Sequence, residues 1–233
     1  MPRHTPAVQD YLKALQLVEW GDRDESDRVP THALADRLGV SDASATNMLK
    51  KLAAMGLVEH APYKGASLTG AGRKVALEVI RHHRLLETYL AEALGVPWDR
   101  VHDEAERLEH AVSDDLVDRM AATIGEPEVD PHGAPIPTRD GAVDETEYTS
   151  LADLPIGVPG MVVRVADEDP AMLRYLAELS VVPGKKVTVK SRAPFGGPIT
   201  LTLGRQEISI GPGLAAHVLT APVTEKAGGG KRG

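Results

Sequence analysis

The sequence predicts a mainly α protein that ends in a small β domain. Three observations carry this. Apolar residues recur at spacings of three and four up to about residue 125, as on amphipathic helices. Beyond that point short alternating runs are broken by Gly and Pro, as in strands and tight turns. Near the N-terminus the order helix, helix, glycine turn, helix, hairpin is the plan of a winged helix-turn-helix.

The first helix is expected over Thr5 to Trp20, with Val8, Tyr11, Leu12, Leu15 and Val18 as its apolar stripe, followed by a charged loop from Gly21 to Arg28. A second helix is expected over Thr31 to Leu38 with Thr31 as its N-cap, and Gly39-Val40 then makes a tight turn. Ser41 caps a third helix, Asp42 to Met55, which Gly56 stops. Strands at Leu57–His60 and Ser67–Leu68 flank a tip at Tyr63-Lys64-Gly65. Three further helices are expected over Gly72–Leu94, Trp98–His110 and Ser113–Ile124. The proline-marked stretch Glu126 to Leu154 reads as a linker or an extended packed segment. Strands at Met161–Val165, Lys186–Val189, Ile199–Leu203 and Glu207–Ile210, with a helix over Pro170–Leu179, make a small β barrel. Residues 224–233, which contain Gly228-Gly229-Gly230 and Lys231-Arg232, read as a disordered tail.

The third helix has two informative faces. Ala45, Leu49, Leu52 and Met55 recur at core spacing. Ala43, Thr46, Asn47 and Lys50 share another face, small and polar toward its start, where Ser41 and Ser44 also lie. Such a face can enter the major groove and reach base edges. Lys50, Lys51 and the hairpin's Lys64 are placed to neutralise phosphates. A solvated face of an ordinary bundle is the alternative; the turn and hairpin around the helix favour DNA.

Charge tempers that reading. The 233 residues hold 26 Lys and Arg against 34 Asp and Glu, a net charge of −8. Residues 1–70 alone hold eight basic and nine acidic side chains, a net of −1. A chain of this balance binds DNA weakly by itself, and a cation that changed both its shape and its charge would help. There is no cysteine, which excludes a disulfide framework, thiolate metal sites and a cysteine nucleophile. No apolar run approaches the ~18 residues of a membrane helix, and Met1-Pro-Arg-His lacks a signal peptide's apolar stretch. A cytoplasmic protein without a membrane partner is therefore expected.

The chemistry sits in the middle helices, which carry four of the nine histidines, His82, His83, His102 and His110. His83 and Glu87 are four apart and share a face. His102, Glu106, Glu109 and His110 fall at i, i+4, i+7 and i+8, one continuous stripe. Two facing helices with such stripes can build a metal centre. A solvated acidic surface explains Asp103, Glu104, Glu106 and Glu109 singly but not the imidazoles among them. His82, about 100° round the helix from His83, points elsewhere. Carboxylate and imidazole donors without thiolate suit Mn²⁺ or Fe²⁺, although affinity alone would favour Cu²⁺ or Zn²⁺.

The stretches RHHRLLETYL (81–90), VHDEAERLEHAVSDDL (101–116) and DPHGAPIP (130–137) resemble the DtxR-type metalloregulators, which include iron-dependent repressors and manganese transport regulators. The resemblance spans about residues 5 to 220. It implies a winged helix-turn-helix DNA-binding domain (1–70), a helical dimerisation and metal-binding domain (71–137), a linker (138–154) and an SH3-like domain (155–223). It places a first metal site at Asp10, Glu106, Glu109 and His110. The iron-sensing branch has Met and Cys where this chain has Asp10 and Glu106, and these two hard acids resemble the manganese branch. The shortest manganese regulators carry a second acid where Lys13 stands, so this chain departs from their two-manganese cluster. An ancillary site resembles His83, Glu87 and His102 joined by C-terminal acids, Asp169 with Glu168 as the substitute; an exposed turn before Pro170 is the other reading of those acids.

The expectation is a homodimeric, Mn²⁺-activated repressor of manganese or iron uptake genes that binds a palindromic operator and takes no small organic substrate. An iron-dependent repressor is the alternative metal assignment. A winged-helix protein that ignores metal and uses its C-terminal barrel for a partner is a further reading. A dinuclear carboxylate enzyme is the reading from another class, opposed by the lack of a second Glu/His motif and of any HExxH. The expected mechanism has Asp10, Glu106 and Glu109 repelling one another until a cation draws the first helix onto the metal helix.

Overall fold

A computed structural model describes residues 4–21, 28–62, 64–166 and 169–223. Helix α1 (Pro6–Gly21) buries Val8, Tyr11, Leu12 and Leu15 of the stripe that its sequence spacing predicts, and Val18, its last member, is half-buried against the same core. Helix α2 (Thr31–Leu38) begins after Pro30, not after a capping Thr31. The fixed ring of Pro30 sets an extended residue at φ −63°, ψ 143°, so Thr31 is already the first helical residue. Gly39, at φ 63°, ends α2 in a left-handed turn and bonds back to the carbonyls of Ala35 and Asp36. Helix α3 (Asp42–Ala54) starts at Ser41, whose Oγ accepts from the amide of Ser44 at 3.2 Å. Ala45, Leu49 and Leu52 are buried on its inner face. Met55 is not a core residue: it caps the helix in front of Gly56 and is 42 % exposed, because the stripe ends where the helix does.

Strands β1 (Val58–Ala61) and β2 (Gly65–Leu68) pair antiparallel, Val58 opposite Leu68. Val29 bridges to Ala66 on the far side of β2, so the chain entering α2 braces the wing. Gly65 is required there: at φ +91° a Cβ would lie 2.3 Å from the Val29 carbonyl oxygen. The loop residues 22–27 and Tyr63 lie outside the described residues.

Helix α4 (Gly70–Glu92), capped by Thr69, is the spine of the middle domain. Arg73 ties it to α1 through Gln16 at 3.0 Å and Glu19 at 2.9 Å. Helix α5 (Val101–Leu108) is shorter than expected: Trp98–Arg100 form a turn, and Glu109 and His110 lie just past its end. Glu109 keeps helical angles (φ −56°, ψ −30°), so the ligand stripe continues through it. Helix α6 (Asp114–Thr123) is capped by Ser113. The segment after it is packed, not free: Asp130 Oδ1 accepts from the amides of His132 and Ala134, each at 2.9 Å.

The C-terminal unit is an antiparallel sheet of β3 (Thr149–Ser150), β4 (Pro159–Val165), β5 (Lys186–Arg192), β6 (Ile199–Leu203), β7 (Gln206–Ile210) and β8 (Val218–Pro222), in the order β3-β8-β4-β5-β6-β7. Helix α7 (Pro170–Glu178) lies between β4 and β5, and the short α8 (Pro212–Ala216) leads into β8. The stretch 138–154, expected as a linker, ends inside this unit. Thr149 and Ser150 pair with β8, and Leu151 and Leu154 join the barrel core. The expected tail, 224–233, lies outside the described residues.

Among the described residues the buried apolar side chains form three clusters, one in each region. Trp98 and the His132 turn join the middle domain to the barrel. Trp98 packs on the barrel core and stacks on His132 at 5.4 Å, and the Val165 amide donates to the His132 carbonyl at 2.9 Å. Gly133 seats this contact, since a Cβ there would lie 1.8 Å from the Val163 carbonyl oxygen. Among the described residues no helix is long and apolar enough to cross a membrane.

Candidate metal centre

Helix α1 supplies Gln9, Asp10 and Lys13, α4 supplies His83 and Glu87, and α5 with its C-terminal turn supplies His102, Glu106, Glu109 and His110. The structure sorts these side chains into two neighbouring groups. In one, Asp10, Glu109 and His110 bring ligand atoms within 4.8 Å of one another. His110 Nε2 lies 2.7 Å from Asp10 Oδ1 and 3.5 Å from Glu109 Oε1, while His110 Nδ1 meets Gln9 Oε1 at 2.9 Å. In the other, His83, His102 and Glu106 converge, with Glu87 behind them. Glu87 Oε1 lies 3.0 Å from His83 Nε2 and 3.1 Å from His102 Nδ1. Glu106 therefore stands with the second group, not with Asp10, Glu109 and His110 as expected.

Lys13 lies between the groups. Its Nζ donates to Glu106 Oε1 at 2.6 Å and to Glu109 Oε2 at 2.8 Å, and sits 3.0 Å from His83 Nδ1. The mutual repulsion expected of the acids is thus answered by a cation of the chain itself. Sequence reading marked Lys13 only as a departure from a motif. Its position three residues after Asp10, on the same helix face, was the available signal.

Burial and pairing set the protonation states. Burial pushes the His83 imidazolium toward losing its proton, but the Glu87 charge outweighs it, against Lys13 and with hydrogen bonds to Glu109 and Glu87, and raises its pKa to about 9. His83 then donates from both ring nitrogens, to Glu109 Oε2 at 2.6 Å and to Glu87 Oε1 at 3.0 Å. Burial pushes Glu87 up, yet His83 and His102 hold it well below the usual carboxylate range. Glu109 is also lowered, its burial outweighed by His83 and Lys13. Asp10 is raised, chiefly by burial, with His110 opposing and Glu109 and Glu106 adding to the rise.

The donors fit a hard or borderline divalent cation: carboxylates and imidazoles at short range, without sulfur. Glu87 Oε2 adds a buried oxygen without a hydrogen-bond partner among the described residues. Beyond it lie Asp130 and His132, forming with Glu87 a wholly buried group that sequence reading missed as chemistry, although DPHGAPIP contains both. His82 faces the other way, 3.3 Å from Asp114.

Asp169 is not brought to either group. It is exposed and caps α7, its Oδ1 accepting from Ala171 and Met172, the role that an Asp before a Pro-initiated helix commonly takes. Its expected substitute, Glu168, lies outside the described residues. On the DNA side, Ser41, Ala43, Ser44, Asn47, Lys50, Lys51 and Lys64 are exposed and Thr46 is half-buried, with the Ser41 Oγ engaged in its cap.

Residues 4–66 match the iron dependent repressor N-terminal DNA binding domain, 69–138 its metal binding and dimerisation domain, and 149–222 the FeoA domain. The iron-dependent repressor IdeR of Mycobacterium tuberculosis (strain ATCC 25618 / H37Rv) is 32 % identical over 211 residues, covering 85 % of this chain and 91 % of the relative. The chain belongs to the DtxR-type family. It is a metal-dependent transcriptional repressor built from the family's DNA-binding, dimerisation and SH3-like modules. A manganese-dependent transcriptional repressor in complex with manganese is 40 % identical and superposes with a TM-score of 0.85, covering 93 % of this chain and all of that one. The manganese regulator SloR is 28 % identical at a TM-score of 0.76, covering 94 % of this chain and all of that one.

Proposed function

We propose that this DtxR-type repressor senses manganese, with Fe²⁺ as the alternative ion. As a cytoplasmic homodimer it would bind a palindromic operator and silence manganese or iron uptake genes when metal is plentiful. The observation that carries the reading is Asp10 on α1 meeting His110 at 2.7 Å beyond α5, with Glu109 beside them. This pairing joins the DNA-binding domain to the dimerisation domain through hard oxygen and imidazole donors. Met or Cys at Asp10 and Glu106 would favour a softer ion; two carboxylates favour Mn²⁺. The manganese-dependent repressors of similar structure support the same ion.

Asp10, Glu109 and His110 would hold one cation, with Glu106 in reach, and His83, Glu87 and His102 a second. Bound there, the ion supplies compact positive charge to a carboxylate-rich seam. Asp10, fixed at that seam, holds α1 at one angle to α5 and so sets where α3 presents Ala43, Thr46, Asn47 and Lys50. Lys50, Lys51 and Lys64 meet phosphates around them. Two such helices in a two-fold dimer match a palindrome. Linkage requires operator DNA to tighten metal binding by the same factor that metal tightens DNA binding. The chain is proposed to carry no catalysis of its own.

Fluorescence anisotropy tests this on DNA upstream of the chain's own gene and of neighbouring metal-transport genes, at one salt concentration, with chelator, Mn²⁺ or anaerobic Fe²⁺. Sequence-selective binding that needs Mn²⁺ is expected. An Fe²⁺-only response would reassign the ion, and equal binding in chelator would remove metal from the mechanism.

A further inference from the structure

Lys13 is a charged side chain that metal binding does not explain. Long amphipathic lysines on helices normally extend to water. This one is turned inward: its side chain is 9 % exposed, and its ammonium contacts carboxylates that belong to different groups. Glu106 stands with His83 and His102, whereas Glu109 stands with Asp10 and His110. A single nitrogen at 2.6 Å from one and 2.8 Å from the other occupies the seam where the two groups meet.

From this geometry we infer that Lys13 is a resident cation that competes with metal for Glu106 and Glu109, and so sets how tightly the centre takes up an ion. This rests on the proposed metal reading of the same side chains. The charges support it. Asp10, Glu87, Glu106 and Glu109 are four carboxylates, against which the chain places Lys13 and His83, 3.0 Å apart and both in contact with Glu109. A divalent ion entering either group meets the ammonium at close range in a partly buried site, where screening is weak. It also needs carboxylate oxygens that Lys13 already engages. The same contacts give the chain a second function for Lys13. Because Lys13 stands on α1 and its partners on α5, the ammonium ties the DNA-binding domain to the dimerisation domain with a charge that belongs to the protein. Lys13 would thereby raise the ion concentration at which the repressor responds while keeping the two domains near their working arrangement.

The test is calorimetric titration of the full-length dimer with Mn²⁺ alone, paired with thermal unfolding in chelator. Lys13→Met should bind Mn²⁺ about ten-fold tighter or more, and its midpoint in chelator should fall because buried Glu109 keeps only His83 of its two counter-charges. Lys13→Arg, which keeps the charge, should stay near wild type in both measurements. Lys13→Gln serves where the Met variant is too unstable to titrate, and the same tightening is expected. Unchanged or weaker Mn²⁺ binding by the uncharged variants would overturn the inference. Failure of the wild-type chain to bind Mn²⁺ at all would instead overturn the metal reading, a separately recognisable result.

Discussion

The two candidate ligand groups are a few ångströms apart but are built differently. The His83, Glu87 and His102 group lies on α4 and α5, helices of one domain, with His83 and Glu87 almost wholly buried. The Asp10, Glu109 and His110 group takes Asp10 from α1 and the others from the end of α5, and Asp10 is 40 % exposed. The first is a fixture of one domain's interior. The second exists only while two domains are in register, so an ion held there has differential affinity for one arrangement, as a switch requires. Stability should therefore reside in the buried group and regulation in the bridging one.

The largest expected effect tests the buried side of this contrast. Glu87→Ala leaves the His83 imidazolium without its main counter-charge and opens a cavity. Breaking a buried ion pair costs about 3–5 kcal/mol. Thermal unfolding in chelator should show a large drop in midpoint. A midpoint within error of wild type would mean that the buried group carries no more structure than the bridging one.

Asp10→Ala is the complementary change. The midpoint in chelator should move little, because Asp10 is half-exposed and its partner His110 retains Gln9. Metal-dependent operator affinity should fall by the full coupling, typically about 1–3 kcal/mol or 5–150-fold. Anisotropy with and without Mn²⁺, alongside a size measurement to confirm the dimer, reads both. A mutant that still responds fully to Mn²⁺ would dissolve the distinction between the groups.

The contrast also explains what could be read in advance. His83 and Glu87, like His102 and Glu106, are neighbours on their helices through spacings of four, and local periodicity suffices to pair them. Asp10 meeting His110 spans 100 positions, and only resemblance placed it. Glu106 stands with His102, as that spacing implies, but no helical pattern specifies the inward-turned Lys13 that also engages it. The barrel shows the same limit. Strands β4 to β7 announce themselves by alternation, but β3 has two residues, and β8 follows a short helix and ends at Pro222, so the pairing of β3 with β8 across some 70 positions left little local trace. Asp169 is not brought to either group, and its Oδ1 serves locally as the cap of α7.

A smaller effect separates the groups by pH. His83 has a pKa near 9, above the ordinary value of about 6.5, so its ion pairs stabilise the folded chain fully below about pH 6.5, and that contribution is lost as pH rises through 9. In chelator, wild type should lose more stability between pH 6.5 and 9.5 than His83→Gln does. Parallel pH profiles would show that His83 is not charged in the folded chain.

The smallest effect lies away from both groups and calibrates them. Ser41→Ala removes the cap on the Ser44 amide at the start of α3, worth about 1 kcal/mol. The loss acts on the DNA-facing helix itself, so operator affinity should weaken by a similar small factor with Mn²⁺ and with chelator. Asp10→Ala should weaken it only with Mn²⁺. If Ser41→Ala changed the metal response instead, α3 would be coupled to the metal seam through more than the angle of α1, and the assignment of regulation to the bridging group alone would be too narrow.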